Sequence, residues 1–155
     1  MSDVQLNETV RKNSSPSVNA WLSAFVERHG GFVGSVHLAE PAEEGEIVLV
    51  AAHNLPPGVV NGAAVVVIGK GMAGVTAERK EPIGLTDLQT DTSGVARPPA
   101  RLSGSKGSVT LPVFDPATPG RLVAVVGLGF PQAREFTDEE IERYGKDAES
   151  VLAAA

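Results

Sequence analysis

The chain has 155 residues, a formal net charge of −6 and no cysteine. The length suits one domain with a real hydrophobic core. The excess of acid argues against non-specific nucleic-acid binding and against an anionic membrane surface, because both rely on clustered Lys and Arg. Without thiols there are no disulfides, thiolate nucleophiles, thiolate metal sites or thioether-linked chromophores. Residues 1–15 lack the apolar core of a signal peptide. The longest apolar run, residues 122–130, falls far short of the roughly 20 residues that cross a bilayer. A cytoplasmic protein is the expectation.

Residues 1–15 are polar and read as a flexible arm, with a helical extension as the alternative. Residues 16–155 read as the domain. Ser15-Pro16 reads as a helix start, with Ser15 as cap and Pro16 at the first helical position. Val18, Trp21, Leu22, Phe25 and Val26 then form one apolar stripe, and Gly30-Gly31 ends it. Trp21 suits core or a dimer interface, with stacking on a ligand as the alternative. Residues 32–39 and 46–53 are strand-like and flank an acidic turn, which predicts a hairpin. Residues 54–58 predict a second turn, and 65–68 a buried strand. Residues 88–107 show little periodicity, and a loop of that length is usually functional or disordered. Residues 108–114 and 121–130 predict strands. The second is apolar on both faces and should be central. Thr137-x-x-Glu140 is a capping box, and Phe136 before it can staple onto Ile141. Ile141, Tyr144, Ala148, Val151 and Leu152 give the last helix its stripe. Gly145 within it suggests close packing against a partner helix.

The stretch that decides the function runs from Val65 to Asp87. Gly69-x-Gly71-x-x-Gly74 follows an apolar run and opens a helix, so it matches the G-x-G-x-x-G dinucleotide fingerprint. There the glycines admit a pyrophosphate to the helix N-terminus, with Asp87 or Asp91 as the ribose acid. Three features oppose this. The helix has room for about two turns before Pro82. The acid comes earlier than the expected 20 or so residues. The downstream chain does not alternate strand and helix.

The same stretch resembles the centre of a GAF domain, a sensory module that binds small molecules. A strand ends near Gly69, Gly71-Met72-Ala73-Gly74 starts a short helix, and Pro82-Ile83 leads into a strand ending at Asp87. Ala51-Ala52-His53-Asn54-Leu55-Pro56, Lys106-Gly107-Ser108-Val109-Thr110-Leu111-Pro112-Val113 and Phe136-Thr137-Asp138-Glu139-Glu140 extend the similarity over nearly the whole chain. The resemblance implies an α+β fold. A central antiparallel sheet of five or six strands would carry the first and last helices on one face. A pocket covered by the loop at 88–107 would lie on the other. It also implies a non-catalytic sensor or regulatory role.

For the polar lining of that pocket the expected residues are Thr86, Asp87, Arg97, Arg101, Lys106, Ser108 and Thr110, with His37 and His53 as polar wall. Asp87 suits a ligand amine. Arg97 and Arg101 suit a carboxylate or phosphate, so an anionic ligand is expected. Three scattered histidines without ligand spacing make no metal site, and no nucleophile–base set is apparent, so neither a metal nor a cofactor is expected. Some free-standing GAF proteins reduce free methionine sulfoxide through cysteines, and phytochrome-type ones attach a bilin through cysteine; neither carries over. Cyclic-nucleotide-binding GAF domains carry an Asn-Lys pair at the end of the last core strand; here that strand ends Gly127-Leu128-Gly129-Phe130, without the pair, so cyclic-nucleotide signalling is not expected. No kinase, cyclase or DNA-binding module is seen in the chain, so output is expected through a partner or a homodimer formed by the stripes at 18–26 and 141–152. Two alternatives stand beside this reading. One is a structural GAF-like dimer with a collapsed pocket; the other is an enzyme using acid–base groups in the pocket.

Overall fold

The computed structural model describes residues 4–40, 42–93, 95 and 103–155. Six strands are present among them: β1 (Val33–Leu38), β2 (Glu46–His53), β3 (Val65–Val67), β4 (Ile83–Leu85), β5 (Ser108–Phe114) and β6 (Leu122–Gly129). They form one sheet in the order β3-β2-β1-β6-β5-β4, and every neighbouring pair is antiparallel. As its two-faced apolar sequence predicts, β6 is central, paired to β1 on one side and β5 on the other.

Two helices, α2 (Pro16–Arg28) and α5 (Asp138–Ala148), share one face of the sheet. Ser15 Oγ accepts from the Val18 N–H and Pro16 opens α2, so the helix starts where its cap dictates. Val18, Leu22, Phe25 and Val26 are fully buried and join Val36, Val126 and Leu128 in the main core. At α5 the Thr137 hydroxyl accepts from the Glu140 N–H, and the Glu140 carboxylate accepts from the Thr137 N–H, both at 3.1 Å. Tyr144, Ala148 and Val151 complete the core. Gly145 faces Leu111 of β5, so its packing is met within this chain.

Polar contacts lock the two helices together. Arg28 Nε and His29 Nε2 donate to Asp147 Oδ2 at 3.1 and 2.6 Å. Burial opposes the charge on Asp147, but these hydrogen bonds outweigh it and hold the carboxyl below its ordinary pKa. Trp21 stacks on Phe25 with 4.8 Å between ring centres and donates Nε1–H to Ser150.

The opposite face carries α1 (Glu8–Asn13), α3 (Pro57–Gly62) and α4 (Gly71–Arg79). Val10 of α1 is buried against Leu49, Val60 and Ala64. Residues read as an arm therefore include a capped helix packed on the sheet, tied by Asn7 N–H to the Asn61 carboxamide at 2.8 Å. Pro57 and Gly58, read as part of a turn, open the helix α3. Ile47, Ala77 and Val125 form a separate core under α4.

Two expectations are corrected. The run Val65-Val66-Val67 is an edge strand among the described residues, with Val65 and Val67 40% and 45% exposed. The dinucleotide reading needs β3 and β4 side by side and parallel. They occupy opposite edges of a wholly antiparallel sheet, and the helix between them has nine residues.

Candidate functional site

The glycine-rich turn is built for close packing. Gly69 and Gly71 adopt φ of +99° and +73°, values that favour residues without a Cβ. A Cβ on Gly74 would come within 2.5 Å of the Val67 carbonyl. The Gly69 N–H donates to Gly74 O at 2.8 Å and the Lys70 N–H to Val67 O at 3.1 Å. The amides of Gly69 and Lys70 are thus spent within the turn. Their effect is to lay α4 across the sheet immediately after β3.

Between α3, α4 and the sheet lies a cavity of about 420 Å³. Its floor comes from the strands: Val33, Ser35 and His37 of β1, Ser108 and Thr110 of β5, and Gly127 of β6. Strand alternation puts Ser35 and His37 on one face, while Val36 between them joins the α2 core. The wall comes from Val59 and Ala63 around α3 and from Met72 and Ala73 of α4. Leu88, Ser103 and Ser105 close a side from the long loop, whose ends are joined by Leu88 N–H to Lys106 O at 2.7 Å.

Most polar groups here are already engaged. Ser105 and Ser108 hydroxyls are 2.6 Å apart, and those of Thr76 and Thr110 are 2.5 Å apart. His37 differs. Its ring is 3% exposed, and Nε2 lies 2.9 Å from the Ala63 carbonyl. A carbonyl only accepts, so Nε2 carries the proton. Burial is the main influence on this imidazole. It outweighs the stabilising bond to Ala63 and lowers the pKa from 6.5 to about 4, leaving the ring neutral near pH 7. Its Nδ1 is buried with no hydrogen-bond partner among the described residues.

No family model matches the sequence, and no curated protein matches it. Solved structures do match the fold. The GAF domain of a phosphoenolpyruvate-protein phosphotransferase (ptsP) from Coxiella burnetii is 22% identical, with a TM-score of 0.68 over 95% of this chain and 90% of that one. The second GAF domain of DevS from Mycobacterium smegmatis is 18% identical, with a TM-score of 0.62 over 89% of each chain. The chain has the GAF fold. A type II free methionine-R-sulfoxide reductase from Thermoplasma acidophilum shares it, at 11% identity and a TM-score of 0.66 over 94% of each chain. The fold is therefore shared by GAF domains and by a reductase, and the site must be judged on its own residues. None of those residues is a cysteine.

Within this GAF fold, three of the residues expected at the site line the cavity: His37, Ser108 and Thr110. Thr86, Asp87, Lys106 and His53 are not among its lining residues. Thr86 is exposed at the end of β4, where its carbonyl accepts the Arg134 N–H at 3.0 Å. The Asp87 carboxylate accepts from the Gln89 N–H at 2.9 Å, capping its own turn. Lys106 is exposed. His53 lies on the opposite face, its Nδ1 3.0 Å from the Ser23 hydroxyl of α2. Arg97 and Arg101 lie outside the described residues. Among the described residues Lys70 is the charged one of the lining, and it is exposed.

Sequence reasoning missed the contribution of α3 and of Ser35. Pro57, at a first helical position ahead of Val59 and Val60, was the available signal for α3. No group of three or more His, Asp or Glu side chains suited to a metal occurs among the described residues. Nor is any helix among them long and apolar enough to cross a membrane.

Proposed function

We propose that the chain is a non-catalytic GAF module that binds a small molecule and serves as a sensor or regulatory unit. The cavity carries this reading. At about 420 Å³ it has the size of a small-molecule site, and its walls are mostly aliphatic with a few convergent polar groups. An open cavity of this size also favours ligand binding over a purely structural role with a collapsed pocket. Among the described residues the lining holds hydroxyls, one neutral imidazole and one exposed lysine, and no carboxylate or thiol. That composition favours binding over acid–base or thiol chemistry.

Output would come from a population shift. Leu88, Ser103 and Ser105 line the cavity from the long loop, so an occupant changes the free energy of that loop and of the surface it offers a partner. Any pairing of two copies through α2 and α5 would use their outer faces, since the apolar stripes are already buried against the sheet. Native mass spectrometry of the purified protein tests the reading, followed by hydrogen exchange with and without the ligand it retains or binds from a metabolite set. The expected result is one bound small molecule per chain and slowed exchange within 88–107. A saturable ligand that leaves exchange there unchanged rules out the switching mechanism. A chemically altered ligand rules out the non-catalytic role.

A further inference from the structure

Ser35 is the open polar side chain of the cavity floor. It sits mid-strand in β1, between β2 and β6. A Cβ on its neighbour Gly34 would run into Val26 and Leu22 of α2, so strand alternation turns Ser35 to the cavity face. Its hydroxyl has no hydrogen-bond partner among the described residues. Unlike Nδ1 of His37 it is not sealed off, because the side chain is half-buried and lines the cavity. Gly127 of β6 pairs directly with Ser35 on one side and with Thr110 on the other. A Cβ there would lie 2.6 Å from Ser35 Oγ and 3.9 Å from Thr110 Cγ2. The side chain missing from the central strand thus leaves a slot with a hydroxyl on one bank and a methyl on the other. The Thr110 hydroxyl is committed to Thr76, and those of Ser105 and Ser108 to each other.

A group that reaches this slot meets a hydroxyl able to donate or to accept. The strands of the floor supply no charge, since their polar side chains in the lining are hydroxyls and the neutral ring of His37. A carboxylate pushed down to the floor would be buried without a counter-charge, which costs far more than one hydrogen bond returns. Lys70 is exposed, and an ion pair there alters affinity by about fivefold at most. We propose that Ser35 is the polar anchor of the cavity, and that the ligand is a neutral, largely apolar small molecule whose one hydroxyl or carbonyl group enters first and seats over Gly127. This rests on the reading of the cavity as a ligand site, and it replaces the anionic ligand expected from Arg97 and Arg101. The aliphatic walls at Val59 and Met72 take the body of the molecule.

The test uses the full chain labelled with ¹³C and ¹⁵N. It is titrated with benzyl alcohol, acetophenone, ethylbenzene and benzoate. In the wild type, intermolecular NOEs are expected from the alcohol and the ketone to Ser35 Hβ and Gly127 Hα. Ser35→Ala is expected to weaken binding of benzyl alcohol and acetophenone by about three- to tenfold, the scale of one hydrogen bond, and to leave ethylbenzene unchanged or tighter. Lys70→Met should touch benzoate alone, by no more than about fivefold. Should Ser35→Ala not fold, the wild-type NOEs decide alone. Equal losses for the three neutral probes, a bound alcohol or ketone that gives no NOE to Ser35 and Gly127, or tightest binding by benzoate overturns the anchor while leaving the cavity a ligand site. Failure of all four probes to bind overturns the ligand-site reading itself, a distinct result.

Discussion

The hydroxyl of Thr76 on α4 meets that of Thr110 on β5 at 2.5 Å, with both residues buried. This is the polar link between the helix after the glycine turn and the sheet below it. Replacing either threonine by valine strands the other hydroxyl in an apolar site, whereas replacing both removes donor and acceptor together. Each single variant is expected to lose about 1–3 kcal/mol, and the double variant less than the sum of the two. Urea unfolding of the four proteins of the cycle measures the coupling. Strictly additive losses would show that the pair does not act as a unit.

Gly74→Ala forces a methyl group to within 2.5 Å of the Val67 carbonyl, which is backbone and cannot move aside cheaply. A loss of about 1–3 kcal/mol is expected, as for overpacking elsewhere. Gly58→Ala in α3 is the control. Its Cβ meets nothing within 4 Å, so it should raise stability by about 0.4–1 kcal/mol by restricting the unfolded chain. Thermal melts separate the two by sign.

Acid should unfold the protein partly through His37. The folded state holds this imidazole at a pKa of about 4, while the unfolded chain takes up the proton at its ordinary 6.5. Below 6.5 the unfolded state therefore binds more protons, and stability falls as the pH is lowered towards 4. The total is on the order of 3 kcal/mol, and above 6.5 the ring contributes no slope. Asp147 and Glu140 are both lowered. Their contributions are intact above the ordinary carboxylate values of 3.8 and 4.5 and are lost below them. The interval between about 4.5 and 6.5 thus isolates the histidine. Chemical denaturation across that interval should show the slope in the wild type and a flatter profile in His37→Phe.

Asp147→Ala should cost about 1 kcal/mol, because it removes the acceptor shared by Arg28 and His29 at the junction of α2 and α5. Much of the site is exposed, Arg28 by 46%, so the difference from wild type should shrink at high salt. A difference insensitive to salt would mean that packing, not charge, holds that junction.

What the sequence made legible was local. The stripe of Val18, Leu22, Phe25 and Val26 and the reciprocal cap of Thr137 and Glu140 are decided within a few residues, and the structure keeps both. The central position of β6 also followed from its apolar run. Positions set by distant contacts were hidden. Val65-Val66-Val67 has the composition of a buried strand, yet its exposure depends on being last in the sheet. The cavity's membership is of that kind. Alternation pairs Ser35 with His37, but it does not say which face meets the helices. The register shift between Val36 and His37 against β2 leaves no mark in the sequence. Asp87 looked functional because of its place in the glycine-rich stretch. Beside an edge strand its carboxylate turns back to the backbone of Gln89.

Both outermost strands, β3 and β4, have only three residues. Such short borders offer little template for the backbone of another chain to extend the ladder. Runaway fibril growth is thereby discouraged even though Val65 and Val67 are bare.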